Sequence, residues 1–445
     1  MRTSPPPATE HAAPALAPTP AVPLTGLRGR VEAATAEIRV AMSGTPGRLR
    51  ALGMVSVAVA LLFGLAAGQS FRSADGALSR AAANSDQLVR IQAIQTNVVQ
   101  ADADATNAFL VGGLEPAAQR ADYTRAVTSA SRLVAEAAQH QPADGNALGA
   151  LNQALITYTS QVEQARANNR QALPVGSQYL KSASADLRTS ALPLLKNLGE
   201  ANNARVAEEF DRAARAALLL VITGLLTLVV LLLGLGWLAR RTRRYLNLPL
   251  AAAAVVVLVT LVVGTVGLLA VKTNVDTTRD GVYAATRSTA QARIAGFDAK
   301  SNESLTLIAR GSGAAFEKSW QASAAAVTSE LTELETNPSS SGPAPLPWSD
   351  YATVHEKIRA LDDSGDWEAA VKLATGQGSG TGNATFAAFD TSSDGQLAAL
   401  GAQTSQQLHD TGGWLPFAGA LGLLAGVVAA ACAWWGVSLR LEEYR

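Results

Sequence analysis

The residues able to do chemistry are few and poorly grouped. Four histidines, His11, His140, His355 and His409, are scattered along the chain. They lack the i, i+4 spacing and the carboxylate partners from which metal sites are built. Asp102 and Asp104 could form a carboxylate pair, but neighbours two apart on a helix point in different directions, so both read as solvated surface. There is no glycine-rich phosphate loop, no Gly-x-Ser-x-Gly elbow and no kinase signature. The expectation is a protein with no catalytic residues, no metal and no cofactor.

Two other residue groups are informative. Trp320, Trp348, Tyr351 and Trp367, with Phe386 and Phe389 further on, form an aromatic group late in the chain. Aromatics on helices usually build a core; the alternative makes Trp348, Tyr351 and Trp367 contacts for an extracytoplasmic partner. The arginines are placed rather than spread. Arg28, Arg30, Arg39, Arg48 and Arg50 precede one apolar run, Arg240, Arg241, Arg243 and Arg244 fill a short turn between two others, and Arg440 follows a fourth.

Those runs are the elements that must position everything else. Ala51 to Gly68, Ala216 to Ala239, Leu248 to Val271 and Trp414 to Val437 carry no charged residue. Each reaches or approaches the roughly 20 residues a helix needs to cross a bilayer. The composition agrees, with 48% hydrophobic and only 16% charged among 445 residues. Thirty-six basic residues balance 36 acidic ones, so nothing suggests nucleic acid as a partner. By the positive-inside rule the arginine-bearing segments face the cytoplasm and the two long intervening segments lie outside. These apolar runs contain no Asp, Glu, Lys, Arg or His, which fits poorly with a transporter or channel. Gly64 with Gly68, and Gly422 with Gly426, have the spacing of close helix contacts, although glycine is common in such helices. Cys432, the only cysteine, falls in the fourth run, so the outer segments hold no disulfide and depend on packing.

The fold class expected is all-α: a polytopic membrane protein with four transmembrane helices and two extracytoplasmic helical bundles. Residues 1–23 form a proline-rich tail too poor in apolar residues to fold. Residues 24–47 hold a cytoplasmic amphipathic helix on which Leu27, Val31 and Ile38 share a face, either lying on the inner leaflet or docking a soluble partner. The spans occupy 48–70, 216–239, 248–271 and 414–437, with a cytoplasmic turn at 240–247 and a tail at 438–445. Between them, 71–215 divides into four helices at Gly112–Gly113, Pro142 and Pro174, and Pro193 should bend the last. In 272–413, breaks at Gly311 and Gly313, in the Pro338–Pro347 linker and at Gly376–Gly382 repeat that plan. In the first helix of this second half, Ile294, Phe297, Leu305 and Ile308 mark one apolar side.

The segment ADADATNAFLVGG, Ala101–Gly113, and the closing helix Tyr179–Arg205 resemble the four-helix-bundle sensor domains of bacterial chemoreceptors. The chain departs from them in having no HAMP module and no signalling coiled coil. Its duplicated layout is similar to the GlnX-like membrane signalling proteins of actinobacteria. That resemblance implies a signal transducer in the plasma membrane, with both termini cytoplasmic. Its implied partners are an extracytoplasmic GlnH-like solute-binding protein carrying aspartate or glutamate and a cytoplasmic PknG-like serine/threonine kinase. It leaves room for a homodimer. Cytoplasmic contacts would then fall on Leu27, Val31, Ile38, Arg240, Arg241, Arg243 and Arg244. A sensor that binds a small molecule directly, or an envelope scaffold, are the alternatives.

Overall fold

The computed structural model describes residues 45–111, 115–171, 173–242, 247–337 and 345–442. The N-terminal segment with Leu27, Val31 and Ile38 lies outside the described residues, as do Arg243 and Arg244. Every regular element among the described residues is helical. In chain order these are α1 (Thr45–Val111), α2 (Ala117–His140), α3 (Gly145–Arg170), α4 (Val175–Asp186), α5 (Leu192–Thr242), α6 (Leu248–Thr278), α7 (Ala284–Ile308), α8 (Ala314–Thr336), α9 (Trp348–Asp363), α10 (Trp367–Thr375), α11 (Gly382–Gly412) and α12 (Leu415–Glu442).

Four helical stretches are long and apolar enough to cross a membrane, Gly47–Val111, Val175–Arg240, Leu248–Ile308 and Gly382–Glu442. The chain is thus a multi-pass membrane protein. Its apolar parts form a ring in which α1 packs on α5 and α12, and α6 packs on the same two from the far side. Phe63, Phe71, Leu220, Val257 and Leu261 fill the centre, whereas Leu62, Leu218, Ile222, Leu233 and Val263 point outward. Apolar side chains outside as well as inside are what a lipid solvent permits.

The paired glycines are a helix contact. A β-carbon on Gly64 would stand 2.7 Å from the Gly426 Cα, and one on Gly422 would stand 3.0 Å from the Ala67 Cβ. Backbones of α1 and α12 therefore touch directly, which van der Waals packing rewards where no hydrophobic effect is available. At the other end Asn247 caps α6 by accepting from the Leu250 amide (3.3 Å) and donates to the Gly436 carbonyl on α12 (2.7 Å).

Beyond the spans the helices continue into two bundles. The first encloses Ile94, Val98, Tyr123, Leu151, Tyr158, Leu180 and Leu195 with the far half of α1, α2, α3, α4 and the start of α5. Its boundaries follow the glycines and prolines of the sequence. Pro193 has its effect one turn earlier than its own position: Leu187–Ala191 winds as a π-helix between α4 and α5. A proline has no amide to donate backwards and its ring crowds the preceding turn, so the helix widens there. A second π segment, Arg279–Tyr283, joins α6 to α7 without a proline.

The second bundle is built from α7, α8, α9, α10 and α11. Its third helical stretch, between the Pro338–Pro347 linker and Gly376, has a further break at Ser364–Asp366, where Gly365 takes φ 88° and Asp366 caps α10 by accepting from the Ala369 amide. The larger departure concerns α7. Instead of one apolar side it is buried on almost every side, polar Lys300, Ser301, Asn302, Glu303 and Ser304 included. The reason is that α7 lies against α1, so the two bundles are packed side by side. Val99 and Ala103 of α1 belong to the second bundle's core, and Leu110 meets Leu307.

Candidate functional site

The contact between α1 and α7 is polar at its centre. Asp102 is 1% exposed, contrary to its reading as solvated surface. Its Oδ2 accepts from Ser184 Oγ (2.7 Å), Ser301 Oγ (2.6 Å) and Arg188 Nη1 (3.0 Å), so donors from three different segments converge on one oxygen. Arg188 then reaches across with Nη2 to Asp298 of α7 (2.8 Å). Asp298 in turn accepts from Ser323 Oγ on α8 (2.6 Å). One guanidinium thus joins two carboxylates, one from each bundle. Burial works against its charge, but Asp102 and Asp298 outweigh that and hold the Arg188 pKa above its ordinary value.

Arg188 lies in the π segment. In an α-helix residues 184 and 188 would be neighbours one turn apart; here Arg188 still reaches Ser184 while its fork spans the two bundles. Irregular winding of this kind recurs where a helix must aim a side chain at a special place. Nearer the membrane a second bridge joins the halves: Tyr283 donates to Asn203 Oδ1 of α5 (3.0 Å), and its ring meets Phe210 edge-on.

A second buried cluster sits wholly within the second bundle. His355, read from sequence as lacking carboxylate partners, has two. Its Nδ1 is 2.8 Å from Glu303 Oε2, and its Nε2 is 3.3 Å from Glu317 Oε2, an ion-pair distance at which the angles fall short of a hydrogen bond. Lys300 donates to the other Glu303 oxygen (2.7 Å), and Trp320 stacks on the imidazole at 3.5 Å. Burial opposes a charged Glu303, yet Lys300 and His355 prevail and draw its pKa down to about 2. Burial likewise opposes a charged His355, yet Glu303 and Glu317 raise it above its usual value. No group of three or more His, Cys, Asp or Glu suited to a metal occurs among the described residues.

The aromatic residues divide. Trp348 (5% exposed) and Tyr351 (0%) belong to the core with Phe386 and Phe389, as aromatics on helices usually do, which corrects the alternative that made them partner contacts. Their spacing on α9 points them inward, at α7 and α11. Trp367 is half-buried: its Nε1 donates to the Leu307 carbonyl (2.9 Å) and Arg310 lies over its ring at 3.9 Å. Arg240 is exposed at the membrane end of α5, far along that helix from Arg188, and Arg241 continues the same helix.

Two cavities flank this arrangement. One of about 240 Å³ lies at the far end of the first bundle, where Arg120, Arg166, Asn169 and Arg170 surround an apolar floor that includes Ala105, Val162 and Leu180. The other, about 700 Å³, is a cleft between the bundles lined by Gln92, Arg188, Leu192, Asn203, Arg287 and Gln291 among others. Neither Asp102 nor the pairing of Glu303 with His355 was legible from spacing within one helix, since the partners of Asp102 Oδ2 lie 82 or more residues away and His355 lies 52 residues from Glu303. The one available signal was the run of polar residues Lys300–Ser304 at positions where a surface helix would show apolar ones.

Residues 77–211 match the family described as an actinobacterial sensor domain. The matched stretch is the first bundle, from its emergence on α1 to its return on α5. It points to a sensing and signalling role. No curated protein and no solved structure matches the chain.

Proposed function

We propose that the chain is a transmembrane signal transducer that reads the aspartate or glutamate load of an extracytoplasmic, GlnH-like solute-binding protein and passes it to a cytoplasmic, PknG-like serine/threonine kinase. The observation that carries this reading is the Asp102–Arg188–Asp298 cluster mounted on α1, a helix of 67 residues that runs unbroken from the bundle interface through the membrane. A shift of one bundle against the other must strain this cluster or move α1, and α1 cannot move at one end alone. Displacements of a helix by 1–2 Å are a common currency of such transitions. The docked partner drives the change only if it binds the two arrangements with different affinity.

On this reading both bundles lie outside and the output surface combines Arg240, Arg241, Arg243 and Arg244 with Leu27, Val31 and Ile38. Trp367 and the exposed faces of α8 and α10 remain for the outer partner. The similarity of layout to GlnX-like proteins supports the partner classes, and the sensor-domain match supports the role of the first bundle. The experiment is reconstitution of the full chain in nanodiscs with an aspartate-loaded solute-binding protein on one side and the kinase on the other. Kinase activity should respond to loading and lose that response when residues 1–47 are deleted. A kinase that neither binds nor responds would overturn the relay.

A second reading, direct binding of a small molecule, is favoured by the cavity beside Arg120, Arg166 and Arg170. Its mark would be a rise in melting temperature of the full chain with an amino acid alone, without the binding protein.

A further inference from the structure

Arginines are expected at the Arg240 end of the spans, yet four of them gather at the opposite end. Arg72 and Arg80 of α1 and Arg212 and Arg215 of α5 line a groove of about 570 Å³, together with Gln69, Ser70, Ser73, Ala216 and Leu219. Its level is fixed by the sequence. The apolar run of α1 ends at Gly68 and that of α5 begins at Ala216, so the groove straddles the edge of the apolar band. Below it, Leu218, Leu219 and Ile222 are exposed on the side that meets lipid chains.

The four guanidiniums are not equally engaged. Arg80 and Arg212 are held by Glu209, which is itself 6% exposed, and Arg212 also by Glu208. Arg215 donates its Nε to the Asp211 carbonyl one turn back, leaving its terminal nitrogens free of any carboxylate among the described residues. Arg72 has no carboxylate at ion-pair distance among them either. Ser70, 1% exposed, lines the groove with a hydroxyl that finds no hydrogen-bond partner in the protein. Lys272, at the corresponding level of α6, is instead neutralised by Asp276 at 2.6 Å. The residues lining the α1–α5 groove include four arginines and no carboxylate.

We propose that this groove binds the headgroup of an anionic phospholipid of the leaflet nearer the bundles, with the phosphate held by Arg72 and Arg215 and the acyl chains running down the apolar face of α5. Arginine's planar fork matches a phosphate diester through two parallel hydrogen bonds. Gln69, Ser70 and Ser73 supply neutral partners for the glycerol. A soluble phosphate would meet the same donors, but only a lipid also covers Leu218, Leu219 and Ile222. The site couples to the signal path by position, since it clamps α1 to α5 where the first bundle joins the membrane.

The test is native mass spectrometry of the full chain released from mixed nanodiscs of phosphatidylglycerol and phosphatidylcholine, with glycerol 3-phosphate as the soluble probe. Phosphatidylglycerol should be retained preferentially, and the double variant Arg72→Ala/Arg215→Ala should lower that preference about tenfold. Helical content and melting temperature of the variant, measured alongside, must stay at wild-type values, and Arg72→Lys/Arg215→Lys should recover part of the preference. Glycerol 3-phosphate should not displace the lipid. Equal retention of the two lipids, an unchanged preference in a well-folded double alanine variant, or displacement by glycerol 3-phosphate would overturn the proposal.

Discussion

Asp102 shows what a single side chain can hold in place. It receives hydrogen bonds from Ser184, Arg188 and Ser301, and its charge is matched by a guanidinium that Asp298 shares. Removing Asp102 strands the Ser184 and Ser301 hydroxyls and leaves Arg188 with Asp298 alone, so the cost should fall below the about 3–5 kcal/mol of a fully unpaired buried charge. Asp102→Ala should lower the melting temperature of the full chain accordingly, and the loss should couple to Arg188→Ala in a double-mutant cycle. Additive losses would mean that the two residues act independently. His355 gives a pH dependence. Its folded pKa is raised above 6.5, so its contribution is complete below about 6.5 and is lost as pH rises through the folded value. Glu303, drawn to about 2 from 4.5, contributes above about 4.5 and loses that contribution as pH falls toward 2. Thermal stability followed across pH should therefore fall above neutrality in the wild type, and His355→Gln should flatten that slope. Parallel curves would contradict the role assigned to the ring. Neither residue could be read correctly from the sequence, because the spacing of Asp102 and Asp104 describes one helix while the partners of Asp102 arrive from α7 and the π segment.

At the level of elements, the sequence was far more informative. Glycines and prolines are read by the backbone locally, so the ends of α2, α3, α8 and α11 fall within a few residues of where Pro142, Pro174, Gly311 and Gly382 place them. The break at Gly365 was missed because a single glycine in a helical pattern is tolerated as often as it terminates one. The direct backbone contact of α1 with α12 makes its own prediction. Gly426→Val would push a branched side chain into the Gly64 backbone, where the nearest atoms are main chain and cannot turn aside. Overpacking of this kind costs about 1–3 kcal/mol. A cysteine cross-link between α1 and α12 should form more slowly in that variant than in the wild type, whereas Gly236→Val, with open space around it, should leave the rate unchanged. Equal rates in both variants would show that the crossing does not depend on the glycines.

For the molecule as a whole, the membrane character was plain from four apolar runs, since no soluble core needs so many. The side-by-side packing of the bundles was not. Helical periodicity identifies a helix's most apolar face, and α1 and α7 each bury a second face made of small and polar residues such as Ala103, Ser301 and Thr106. That second face turns two bundles into one body standing on four spans, with Arg240 at the other end of α5. The measurement that bears most directly on this arrangement as a relay is cysteine accessibility in intact cells, in a Cys432→Ala background. Ser131→Cys on α2 and Ser329→Cys on α8, both exposed, should react with a membrane-impermeant maleimide from outside, and Arg240→Cys should react only after the cells are opened. Labelling of Arg240→Cys in intact cells, or protection of the two bundle positions, would contradict a path from outer bundles to a cytoplasmic output.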